Sequence, residues 1–84
     1  MKLLARVVVT PKPVVNDPQG YTVGQGLRSL GFGEVEEVRV GKYVEVRIDA
    51  ESERSARTRV EDMCRRLLAN GVIEDYRFEL EAAG

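Results

Sequence analysis

One thiol, Cys64, is the only cysteine nucleophile in these 84 residues. Its spacing argues against catalysis. It falls in the series Ala56, Val60, Met63, Cys64, Leu67 and Leu68, the i, i+4, i+7, i+8 pattern of a buried helix stripe. A reactive thiolate needs a base or a cationic setting, and the chain has no histidine. Cys64 therefore reads as a small core hydrophobe. Gly24-Gln25-Gly26 lies inside a helical pattern, and Gly41-Lys42-Tyr43 lacks the leading glycine and Ser/Thr of a phosphate-binding loop. The acidic neighbours Glu36/Glu37, Glu61/Asp62 and Glu74/Asp75 carry no sign of burial that would raise a pKa, so they read as solvated charges. No catalytic, cofactor-binding or metal-binding residue is assigned.

Arg54, Arg57, Arg59, Arg65 and Arg66 load one helix with cations, but Glu53, Glu61 and Asp62 dilute them. The aromatic positions of an RNA-reading sheet are absent as well. Lys and Arg total 13 against 14 acidic residues, which leaves no net field to attract nucleic acid or an anionic membrane. Six residues remain with a candidate role: Lys12, Asp17, Gln19, Gly20, Gly41 and Lys42. Asp17 suits a helix N-cap with Pro18 at the first helical position, and Lys42 suits a turn. The alternative is that both loops dock other proteins.

The elements that must carry these residues emerge from periodicity. Leu3, Ala5, Val7 and Val9 alternate with Leu4, Arg6, Val8 and Thr10 as a strand. A loop over 10–16 precedes a helix from Pro18 to Leu30, with Val23, Leu27 and Leu30 on one stripe and Gly31 as its stop. Gly24 and Gly26 each disfavour that helix, which points to close packing against another backbone. Val35–Val40 and Val44–Asp49 are expected to form a hairpin, with Val38 and Val40 opposite Val46 and Val44 across a three-residue connection, Gly41 to Tyr43. A second helix is expected from Glu53 to Ala69, capped by Ser52 and ended by Asn70-Gly71. Tyr76, Phe78 and Leu80 mark the last strand.

The expected fold is α+β: a β-α-β-β-α-β two-layer sandwich, an antiparallel sheet with two helices on one face. The other face would carry Leu4, Arg6, Val8, Arg39, Glu45, Arg47, Arg77 and Glu79, the composition of a polar subunit interface or of a solvated face. With no linker or repeat, residues 1–84 read as a single domain. A chain this short hides somewhat over ~60% of its unfolded surface, which favours an oligomer. One cysteine makes no internal disulfide. No secretory signal or membrane-length apolar run is visible, so a cytoplasmic protein is expected.

Lys12, the short apolar stretch after it and Asp17-Pro18-Gln19-Gly20 before a helix resemble the PurS family, the small subunit of phosphoribosylformylglycinamidine synthase. Gly41-Lys42 between valine-rich strands fits the same pattern, as does Leu67-Leu68-Ala69-Asn70-Gly71-Val72-Ile73-Glu74-Asp75-Tyr76, with Gly71 where the family more often has Pro. The resemblance implies a non-catalytic subunit of an ATP-dependent amidotransferase (a ligase) in purine biosynthesis. It would bridge a glutaminase subunit and a large synthetase subunit and support ammonia transfer. It also implies ATP and Mg²⁺ in the complex but no cofactor in this chain, and a homo-oligomer, dimer or tetramer. The Gly71 departure and a frayed Glu81–Gly84 tail leave the path of the last strand open. The competing reading is a free-standing module of similar topology that binds a small metabolite.

Overall fold

The computed structural model describes residues 1–83. These residues form β1 (Lys2–Pro11), α1 (Pro18–Ser29), β2 (Lys42–Asp49), α2 (Glu53–Met63) and β3 (Glu74–Ala82). The sheet order is β2-β1-β3, antiparallel throughout. β1 owes its central place to its alternation: Leu3, Ala5, Val7 and Val9 are buried. Their cross-strand neighbours Val44, Val46 and Ile48 on β2 and Tyr76, Phe78 and Leu80 on β3 complete the apolar face.

α2 covers that face. Ala56, Val60 and Cys64 are fully buried, and Ser52 caps the helix by accepting the Ser55 N–H at 3.0 Å. On the β3 side the Arg57 guanidinium lies 5.8 Å from the centre of the Phe78 ring. The Tyr76 hydroxyl donates to Glu61 on the same side. Expected to run regularly to Ala69, the helix instead widens into a π turn over Cys64–Leu68, closed by the Ala69 N–H on the Cys64 carbonyl. The wider turn shifts the phase of the residues after it. Ala69 is therefore buried and Leu68 half-buried, while Leu67, placed on the inner stripe by regular periodicity, is 83% exposed.

Two further expectations are corrected. Val35–Val40 joins no strand among the described residues, so the hairpin does not form and Tyr43 lies within β2. Nor do both helices share the sheet face: α2 packs on β1, whereas α1 stands off the sheet. Both differences have one cause, the corner that directs α1 and Val35–Val40 past the end of the sheet as an arm. The Cα radius of gyration is 16.4 Å, against about 12 Å for a compact chain of this length. β3 runs to Ala82, and the Ala83 N–H reaches the Lys2 carbonyl, so Glu81–Ala83 are not frayed as expected; Gly84 lies outside the described residues.

The far face of the sheet carries three cross-strand rows: Arg47–Leu4–Glu81, Glu45–Arg6–Glu79 and Tyr43–Val8–Arg77. Arg6 pairs with Glu81 across it. Arg39, expected on this face, is instead part of the corner.

Candidate docking site

The corner begins with Asp17, the N-cap residue of α1. One carboxylate oxygen accepts the Gly20 N–H at 3.0 Å, and the other accepts the Val40 N–H at 2.9 Å. The side chain thus caps the helix and also ties it to the segment entering β2. These two backbone donors, Val40 first, hold the Asp17 carboxyl below the usual carboxylate range. Partial burial opposes them, and the Arg39 charge reinforces them.

Arg39 completes the clasp by donating to the carbonyls of Lys12 at 2.6 Å and Val15 at 3.2 Å. A guanidinium suits this task because its fixed fork can satisfy two carbonyls at once. Lys12 is anchored twice at the start of β3: its N–H meets the carbonyl of Ile73, just before the strand, and its ammonium meets Asp75 within it at 2.8 Å.

Two glycines allow the backbones to close. A Cβ on Gly20 would sit 2.3 Å from the Val38 carbonyl oxygen, and one on Gly41 would sit 2.2 Å from the Val9 carbonyl oxygen. α1 and Val35–Val40 are therefore packed along each other as one preformed unit. A Cβ on Gly24 would make only ordinary contact with the Arg28 and Val38 side chains, and one on Gly26 would face open space, so close approach of another backbone explains neither glycine. Gly31, at φ 103°, stops the helix in the left-handed region that glycine favours.

Of the six residues singled out by sequence, the fold brings Asp17, Gly20 and Gly41 to one corner and pins Lys12 beside it. Gln19 and Lys42 are exposed nearby and make no side-chain hydrogen bond or ion pair among the described residues. Sequence reasoning missed Arg39 and the backbone of Val38 and Val40. The signal available was a cation in an otherwise apolar alternation, Val38-Arg39-Val40.

The arm carries an apolar surface of its own. Val23 and Leu30 are exposed and Leu27 is half-exposed, with Phe32 also exposed just beyond. Elsewhere, burial and the neighbouring Glu61 push the Cys64 thiol up from its ordinary value, the opposite of what a nucleophile requires. Among the described residues, no group of three His, Cys, Asp or Glu is placed to hold a metal.

A sequence profile described as PurS, phosphoribosylformylglycinamidine (FGAM) synthase, matches residues 4–82. The chain belongs to the PurS family. It is 49% identical over 76 residues to the synthase subunit PurS of Bacillus subtilis, covering 90% of this chain and 89% of that one. It is 47% identical over 77 residues to the subunit of Synechocystis sp., covering 92% and 77%. Among solved PurS structures, that from Thermus thermophilus superposes with a TM-score of 0.87 at 38% identity, over all of both chains. A chain in the structure of PurLQS from Thermotoga maritima superposes at 0.84 with 30% identity, covering 96% of this chain and all of that one. The α+β arrangement of three antiparallel strands and two helices is thus a PurS fold.

Proposed function

We propose that this chain is the small, non-catalytic subunit of a cytoplasmic phosphoribosylformylglycinamidine synthase in purine biosynthesis. In this reading it bridges a glutaminase subunit and a large synthetase subunit. The observation that carries the reading is the likeness along nearly the whole chain to PurS proteins, including a chain of the PurLQS structure. The reaction joins glutamine-derived ammonia to formylglycinamide ribonucleotide at the expense of ATP. ATP and Mg²⁺ act on the synthetase subunit.

The physical task left to a small subunit is positional. Ammonia released at one centre is lost to water or to protonation unless the two centres are docked and sealed. A rigid adaptor achieves this with surfaces alone. The arm, tied at Asp17, Gly20, Lys12 and Gly41, supplies such a surface, with Gln19 and Lys42 free to meet a partner. The chain acts as a homo-oligomer.

Affinity capture from the native extract with glutamine and Mg-ADP should retrieve a glutaminase and a large ATP-binding protein. Reconstitution should show glutamine-dependent synthesis that collapses when this chain is omitted. Full synthesis without it, or turnover by the chain alone, would overturn the reading.

A further inference from the structure

Past Pro11 and Glu74 the β1–β3 ladder opens into two tight turns at one end of the sheet. In Lys12–Val15 the Val15 N–H donates to the Lys12 carbonyl at 3.0 Å, and in Asn70–Ile73 the Ile73 N–H donates to the Asn70 carbonyl at 3.1 Å. The Lys12 N–H on the Ile73 carbonyl, at 2.9 Å, joins one turn to the other. Both turns are braced. Arg39 holds the first by the carbonyls at its two ends. In the second, the Asn70 side chain accepts the Val72 N–H, and the Asn70 N–H donates to the Glu74 carboxylate. The third residue of each turn is a valine: Val14 is 93% exposed and Val72 81%, with Ile73 exposed beside it. Turns favour Gly, Pro, Asn, Asp and Ser, and valine favours strands, so local chemistry accounts for neither side chain. A lone surface valine is ordinary; two at matching positions of interlocked turns make a preformed apolar tip.

We infer that this tip is a docking knob: Val14, Val72 and Ile73 enter an apolar socket on one of the two larger subunits of the synthase. The inference rests on the bridging role proposed above and names a surface that performs it. The chemistry of the tip selects the socket. Arg39, Asn70, Glu74 and the Lys12–Asp75 ion pair are spent inside the corner, so the turns offer a partner chiefly hydrocarbon, whose burial drives association in proportion to its area. Because both turns are already braced, docking pays little to order them. Charge defines one flank. Val14 borders an open hollow of about 480 Å³ whose wall includes Glu36 and Glu37. Both are exposed and make no ion pair among the described residues. Arg28 and Arg39, in the same hollow, are turned to backbone carbonyls instead. The socket is therefore apolar where it receives the valines and carries Lys or Arg on the side that meets Glu36 and Glu37.

The test uses the complete assembly of this chain with both larger subunits, in glutamine and Mg-ADP. Val14→Ser combined with Val72→Ser should leave the melting temperature and self-association of the chain unchanged. The same pair should raise the concentration needed for assembly by roughly tenfold or more. Glu36→Lys combined with Glu37→Lys should also weaken assembly, and its deficit should shrink at high salt while that of the valine pair persists. A photo-reactive p-benzoylphenylalanine in place of Val14 or of Val72 should cross-link to the same larger subunit from either position. Should the serine pair lower the melt, these single cross-links decide. Assembly indifferent to the valine pair would overturn the knob. So would a cross-link only to a second copy of this chain, to different subunits from the two positions, or to nothing within the assembled enzyme. If the unaltered chain enters no assembly, the role in the synthase falls as well; normal assembly with an indifferent tip removes the knob alone.

Discussion

The Asp17 carboxylate receives the Val40 N–H at 2.9 Å across 23 residues of chain, while its other oxygen caps α1 through Gly20. One side chain therefore sets both where the first helix begins and where the arm rejoins the sheet. A cap of this kind is worth more to the architecture than to the helix alone.

This double acceptance makes the corner sensitive to acid. The folded pKa of Asp17 lies below its ordinary value of 3.8. The associated stability is therefore complete above that ordinary value and is lost as pH falls through the lower, folded one. Asp17→Asn should melt lower than the unaltered chain at pH 6, and the gap should shrink on titration to pH 2–3. A gap independent of pH, measured by paired thermal melts, would mean that the carboxylate charge is not what the two N–H groups hold.

The glycines of α1 should separate by environment. Gly26→Ala meets no neighbour, so it should stabilise by about 0.5–1 kcal/mol through the gain in helix propensity. Gly20→Ala drives a methyl group into the Val38 carbonyl and should destabilise by about 1–3 kcal/mol. Urea unfolding of the two variants reads the difference, and equal effects would discount the close approach.

Burial defines Cys64 and Val60 as core. Val60→Ala should cost about 2–3 kcal/mol from lost transfer energy and the cavity left behind. The Cys64 thiol should resist a disulfide reagent at pH 8 until the chain unfolds. Cys64→Ala should leave the reconstituted synthase active. Rapid labelling of the native chain would contradict the described burial.

Gln19 and Lys42 are the proposed docking positions without a holding role inside the chain. The paired change Gln19→Ala and Lys42→Ala should leave stability within about 0.5 kcal/mol while weakening capture of the partner subunits. Unchanged capture would remove both residues from the proposed contact.

Much of this molecule is legible from residue pattern. The alternation of β1, the caps Asp17 and Ser52, the stop at Gly31 and the β3 alternation all appear where local chemistry puts them. Two features escape for physical reasons. The valines of Val35–Val40 report that the segment favours a sheet neighbour, but periodicity does not say which strand supplies it. The π turn at Cys64–Leu68 leaves composition unchanged and shifts only phase, so Leu67 passes for a core residue. The corner is half-visible: capping chemistry marks Asp17 and Gly20, but the long-range partners Val40 and Arg39 come from tertiary closure.

The thinnest dimension of the Cα envelope is 14 Å, against 50 Å for the longest. A slab of that depth keeps its ionisable side chains near water, and among the described residues the buried set is entirely apolar. Strong dehydration of a carboxylate or an amine, the usual source of a reactive pKa, would need walls furnished by another molecule. Such a plate can form the side of a chamber but cannot be the chamber.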